Sequence, residues 1–286
     1  MAVLTINPDV ENYVHEIDWK AGQADFESMR QQIVSLFEDS QLVILKNHPI
    51  TVDTDLLGSF EVPNIKRYRE LSYKQLLFPK LWKARDRGVM FGTFGLDVAK
   101  YLRVRAEVLR VNRELLRLLG IIFPSYRVER EQYSWRFLST DYSVHPLHLD
   151  AFGSDEDRHY VRFFMNLDRA PRVWRVSHRL DELIRRHYHE RDWGCFTDMP
   201  ANQFCDIVND YFRENPDVPF HEVSFEQGDL WLLDTRTVPH GVLAGNRMVA
   251  THFWIDPQSM TDPAKRLDAR VAALHARLGG TAQAAE

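Results

Sequence analysis

His148-Leu-Asp150 places an imidazole and a carboxylate two residues apart, and a further histidine, His240, follows 92 residues later (240 − 148) in Thr237-Val-Pro-His240-Gly. In an extended strand residues i and i+2 share a face, so His148 and Asp150 point the same way while Leu149 packs behind them. His240 comes after a glycine turn, the strand Asp229-Leu-Trp-Leu-Leu-Asp234 and a five-residue connection, and so opens the next strand. Two imidazoles and one carboxylate can hold one face of a ferrous ion and leave the opposite face open for a co-substrate and dioxygen. This pattern predicts a non-haem iron oxygenase with His148, Asp150 and His240 as metal ligands. Zinc accepts the same donors, so spacing alone does not choose the metal. His145, followed by Pro146, and His252, in the last strand, are read as supporting histidines.

Oxygenases of this ligand type often use 2-oxoglutarate, whose keto acid end chelates iron and whose far carboxylate needs a cation. The planar fork of arginine suits a carboxylate. Arg247 begins the strand after His240, and Arg162 lies in Tyr160-Val-Arg-Phe-Phe-Met-Asn-Leu167. In that segment Val161, Phe163, Met165 and Leu167 form an apolar face fit to pack against helices. The other face, with Tyr160, Arg162, Phe164 and Asn166, suits a ligand-lined interior. Arg247, Arg162 and Asn166 are therefore the candidate co-substrate residues. Arg172, Trp174 and Arg175, in Pro171-Arg-Val-Trp-Arg-Val176, are the candidates for clamping a substrate carboxylate against an aromatic wall. The acidic run Asp155-Glu-Asp157 would repel an anionic substrate and favour an amine. No classical acid/base pair is expected.

The elements that must position these residues are legible as short apolar runs. Strands are predicted over 42–46, 133–138, 147–150, 159–167, 223–225, 230–234, 240–243 and 247–255, with turns at Gln227-Gly-Asp229 and Ala244-Gly-Asn246. Helices are predicted over 26–38, 100–119, 180–189, 201–212 and 263–278. In the second of these Leu102, Leu109 and Leu116 recur every seven residues beside Ala106, Leu115 and Leu119. Its Arg103, Arg110 and Arg117 read as a solvated face. Many antiparallel strands flanked by helices describe an α+β, mainly β fold: a double-stranded β-helix, or jelly-roll, of the cupin type with outer helices. Residues 1–286 are read as one domain, with a mixed N-terminal layer and possible lid over 1–125, a jelly-roll core over 130–257 and a C-terminal helix over 262–280.

Composition narrows the classes. The chain has 286 residues, 44% of them hydrophobic and 12% aromatic, enough for a sizeable core, and its apolar runs are too short for a membrane span. The start lacks the basic flank and apolar run of a secretion signal, so a cytoplasmic protein is expected. Cys195 and Cys205 are too few for a disulfide framework and read as reduced thiols. The net charge of −5, with acids and bases interspersed, gives no nucleic-acid groove. Arginine outnumbers lysine, 28 to 8, which fits a GC-rich bacterial genome. The oligomeric state stays open.

His148-Leu-Asp-Ala-Phe152, the strand ending at Asn166, Pro171-Arg-Val-Trp-Arg-Val176, Gly228-Asp229 and Pro239-His240 together resemble the Kdo hydroxylases. These are Fe(II)/2-oxoglutarate oxygenases acting on an acidic sugar of lipopolysaccharide. The likeness covers roughly residues 130 to 257. It implies that His148, Asp150 and His240 bind iron, that arginines of the core strands hold 2-oxoglutarate, and that the cofactors are Fe(II), 2-oxoglutarate and O2. The loop after Phe152, basic and proline-containing in that family, is acidic here. The substrate expected is therefore a small amino-acid-like molecule of natural-product biosynthesis, hydroxylated or closed into a ring at an unactivated C–H bond. Kdo or a related sugar acid is the alternative. Two other readings are a metal-containing sugar-binding jelly roll without turnover, and a protein-modifying hydroxylase, which would need a peptide groove.

Overall fold

The computed structural model of the chain describes residues 3–61, 71–72, 93–94, 97–137, 145–151, 158–196 and 199–283. Its strands are β1 (Val3–Thr5), β2 (Val14–Asp18), β3 (Leu42–Lys46), β4 (Leu71–Ser72), β5 (Val128–Phe137), β6 (His159–Asn166), β7 (Arg172–Ser177), β8 (Phe220–Phe225), β9 (Leu230–Leu233), β10 (His240–Ala244) and β11 (Arg247–Ile255). Among the described residues they form a four-stranded sheet, β1-β8-β7-β10, and a seven-stranded sheet, β2-β3-β9-β6-β11-β5-β4. All pairings are antiparallel except the parallel pair β2 and β3. The fold is mainly β with helices outside, as anticipated. Two readings change. The Leu42–Lys46 strand lies inside the larger sheet, between β2 and β9, rather than in a separate N-terminal layer. The Arg172–Ser177 segment, not predicted as a strand, is central in the smaller sheet.

Period-2 alternation divides the core into layers. One face of the larger sheet meets the smaller sheet through Leu42, Ile44, Phe164, Trp231, Leu233, Met248 and Ala250, against Trp174, Val176, Val223, Phe225 and Val242. Rings dominate this layer: Phe225 stacks on Trp231 at 3.8 Å, and Trp174 meets Trp231 edge-on at 5.2 Å. The opposite face presents Val43, Leu45, Val161, Phe163, Met165, Leu232, Val249, Phe253 and Ile255 to the helices Phe26–Glu38 and Val98–Ile122. Each helix starts at an aspartate cap: Asp25 accepts from Ser28 N and Asp97 from Lys100 N. The buried stripe of the longer helix is Val104, Val108, Val111, Leu115, Leu118, Leu119 and Ile122. Leu102 is exposed and Leu109 and Leu116 only half-buried, because 3.6-residue periodicity drifts off a strict seven-residue stripe and the valines claim the core face. The helices Leu180–His187, Ala201–Glu214 and Leu267–Gln283 form a third layer, into which Leu147 and Leu149 pack. Most of residues 51–100, within the N-terminal layer and possible lid, and the acidic run 155–157, lie outside the described residues.

His159 is buried with its ring on the edges of Phe37 and Tyr126, and neither ring nitrogen has a hydrogen bond. Burial holds its pKa down to about 4, against the partial opposition of Asp234, 3.7 Å away. Its stability contribution is complete above about pH 6.5 and is lost as pH falls towards 4, because the unfolded chain takes up a proton that the folded chain refuses. His159→Phe should therefore lose about 2–3 kcal/mol less than wild type between pH 7 and pH 4.5, read from urea unfolding at each pH.

Candidate metal centre

The three predicted ligands converge. Residues 145–150 run antiparallel to β10: His148 and His240 exchange backbone hydrogen bonds at 3.0 Å, and His145 N donates to Val242 O. Leu147 and Leu149 turn outward to the helices, so His148 and Asp150 face inward as period 2 requires. One potential ligand atom from each of His148, Asp150 and His240 lies within 4.8 Å of the others.

Backbone carbonyls fix how the imidazoles present themselves. His148 Nδ1 donates to Pro146 O at 3.0 Å, and His240 Nδ1 donates to Val238 O at 3.1 Å. With the proton committed at Nδ1, the lone pair of each ring resides on Nε2, directed at Asp150. The same turn positions both halves of the triad. Asp234 O accepts from Thr237 N, Thr237 Oγ1 and Val238 N, and its carboxylate pairs with Arg236. The turn so wound offers Val238 O to His240 and Thr235 O to the backbone N of Asp150. Beside it, Arg236 lies 3.8 Å over the Tyr160 ring, and Cys205 is buried with its thiol pushed up to about 12, an inert thiol as expected.

The charge states of His240 and Asp150 suit a cation. Burial, reinforced by the neighbouring His148, holds the His240 pKa down at about 3, so this ring is neutral. Burial also opposes charge on His148, but the Asp150 carboxylate beside it outweighs that and raises its pKa. Burial alone would raise Asp150; the Arg162 guanidinium and the two imidazoles hold it well below the usual carboxylate range. Trp174 stacks on His240 at 5.0 Å and 26°, joining the ligand to the aromatic layer between the sheets.

A cavity of about 220 Å³ opens on the triad. Arg162, Arg172 and Trp174 line it, whereas three other candidates do not. Arg247 points away on the face of β11 shared with Val249 and Phe253, where it donates to Leu57 O and Phe60 O. Asn166 is buried, its amide spent on Ala170 O and Phe225 O and its oxygen on Asp168 N. Arg175 alternates to the other side of β7 from Trp174 and packs across Gly241, donating to His145 O. A side chain at Gly241 would meet that carbonyl at 2.7 Å. Arg172 is 1% exposed and gives Nη1 to Gly245 O. Gly245 has φ +120°, and a Cβ there would meet Arg172 Cγ at 2.8 Å, so turn and arginine require the glycine.

The structure adds lining residues that the sequence reading passed over. Gln132, Ser134 and Arg136 face the cavity from β5, alternating with buried Tyr133, Trp135 and Phe137. That alternation was visible in the sequence, but a polar strand face ordinarily meets water. His145, His252 and Thr251 complete the polar wall, with Phe164, Val242, Met248 and Ala250 as the apolar part.

No family model and no curated protein matches the chain. Its fold matches solved structures of the Kdo hydroxylase KdoO, a non-heme Fe(II) alpha-ketoglutarate dependent dioxygenase, across 93% of this chain and 96% of that one. The complex with cobalt(II) aligns at TM-score 0.62 and 16% identity, and that with succinate and Fe(III) at 0.60 and 15%. The complex with alphaketoglutarate and Fe(III) aligns at 0.58 and 14%. The chain thus has the Kdo hydroxylase-like fold that its motifs suggested. His148→Ala and His240→Ala should each weaken Co(II) binding by about 100-fold or more, measured by visible titration at pH 7.5.

Proposed function

We propose that the chain is an Fe(II)/2-oxoglutarate-dependent oxygenase whose facing sheets are a double-stranded β-helix. The observation that carries this is the convergence of His148, Asp150 and His240, with both imidazoles presenting Nε2, on one open-mouthed cavity. This two-nitrogen, one-carboxylate set fits ferrous iron and leaves positions open. Bound iron would supply, through oxidative decarboxylation of 2-oxoglutarate by dioxygen to succinate and carbon dioxide, oxidising power sufficient to take hydrogen from an unactivated C–H bond.

The protein binds, orients and excludes water. Arg172 is the arginine we assign to the far carboxylate of 2-oxoglutarate, in place of Arg247. Val176 is paired with His240, and Arg172 lies four residues along the same strand, about 13 Å away. An extended five-carbon dicarboxylate and an arginine side chain together span that distance. Trp174, Phe164, Val242 and Met248 add apolar surface to the cavity wall, which lowers the local dielectric and strengthens the pairing of guanidinium and carboxylate. Gln132, Ser134 and Arg136 on β5 are left to orient the substrate.

The substrate in this reading is a small carboxylate-bearing molecule, with an amino-acid-like compound of specialised metabolism preferred. Arg136, Arg162 and Arg172 against the single carboxylate of Asp150 make the described wall cationic, and this observation supports a sugar acid such as Kdo as the second reading. Turnover of a free amino-acid panel beside lipid-linked Kdo separates them; activity on the lipid alone would end the preference.

Anaerobic addition of Fe(II) and then 2-oxoglutarate should give the visible charge-transfer band of a chelated keto acid. The band should be absent in His148→Ala. In Arg172→Gln it should need about 100-fold more 2-oxoglutarate, the loss of a charged bidentate contact. Zn(II) binding with no band from Fe(II) would favour a binding protein or hydrolytic site.

A further inference from the structure

Arg162, a candidate for the co-substrate's carboxylate, is committed elsewhere. Its Nη1 bonds Oδ2 of Asp150, Nε donates to Thr251 O at 3.3 Å, and the guanidinium lies 4.7 Å over the Phe164 ring. The side chains of Arg162 and Asp150 are 14% and 15% exposed. The backbone is shaped around this contact. The pairing of β6 with β11 holds one register on both sides, Ala250 with Phe164 and Phe253 with Val161, but lapses at Thr251 and His252. There Phe163 N turns to the Thr251 hydroxyl at 2.9 Å, and the Thr251 carbonyl is left to Arg162. The guanidinium is therefore held by a carboxylate, a carbonyl and a ring.

We propose that Arg162 is a positioning residue that occupies Oδ2 of Asp150, so that this carboxylate meets a bound ion through Oδ1 alone. Oδ1 is the oxygen 3.6 Å from His148 Nε2, whereas Oδ2, bonded to Arg162, is the one 3.9 Å from His240 Nε2. The inference rests on the reading of His148, Asp150 and His240 as the iron ligands. A free carboxylate can give a metal one oxygen or both. A second oxygen would fill a coordination position that co-substrate and dioxygen need, so the arginine limits the protein to three ligand atoms. A charged hydrogen bond from a fixed guanidinium is strong enough to hold one oxygen aside.

The test uses Mn(II) as the probe and counts exchangeable waters on the bound ion by water-proton relaxation, without 2-oxoglutarate. Arg162→Met should bind Mn(II) within about tenfold of wild type, while the relaxation enhancement per bound ion falls by about one third, as one of three waters is displaced. Arg162→Lys should keep the wild-type enhancement. Should Arg162→Met not fold, Arg162→Gln serves in its place, because its amide is too short to reach Asp150 and the same fall is expected. Unchanged enhancement in the variant, or a loss of Mn(II) affinity beyond tenfold, overturns the proposal. Failure of the underlying reading looks different: wild type would not bind Mn(II), or His148→Ala would bind it as tightly.

Discussion

An imidazole has one proton and one lone pair when neutral, so whatever accepts the proton decides where the lone pair points. Two backbone carbonyls make that decision here, Pro146 O for His148 and Val238 O for His240. Both belong to segments held by other bonds: residues 145–150 by pairing with β10, and the turn before His240 by the carbonyl and carboxylate of Asp234. A metal arriving at this site would find its donors already aimed. Much of the conformational entropy of assembling ligands so far apart in sequence is borne by folding, not by binding.

The aromatic layer between the sheets extends the same constraint. Phe225, Trp231, Trp174 and His240 touch in series, so the His240 ring is the last member of a packed core. Close-packed interiors transmit displacements instead of absorbing them. Disturbance at Trp231 should therefore be felt at His240 without any polar contact between them.

The triad was legible in the sequence because it rests on two local rules: alternation, which pairs His148 with Asp150, and a strand start at His240. The face of β6 was legible for the same reason, with Val161, Phe163 and Met165 against helices and Arg162 and Phe164 inward. What failed was the destination of long polar side chains. Arg247 was assigned inward as the residue that begins the strand after His240, yet strand parity sends it to Leu57 O and Phe60 O, carbonyls far away in sequence. Asn166 has inward parity but satisfies backbone groups of two turns. Arg175 fell on the wrong side because Arg172–Ser177 was not recognised as a strand, and only strand alternation separates it from Trp174. Sequence periodicity fixes faces; which carbonyl or carboxylate a flexible cation reaches depends on tertiary neighbours that no local pattern encodes.

The cavity wall divides its labour between chain segments. The candidate metal ligands come from residues 145–150 and β10, with Arg162 of β6 on Asp150, while Gln132, Ser134 and Arg136 line the same cavity from β5. Alternation also separates them from Tyr133, Trp135 and Phe137, which carry the packing on the other face. On the proposed function, changes at these three positions alter which molecule is received while the candidate ligands and the packed core stay as they are. A lineage built on this scaffold is free to diversify its cavity one strand face at a time, and a designer can randomise the same three codons with His148, Asp150 and His240 left untouched.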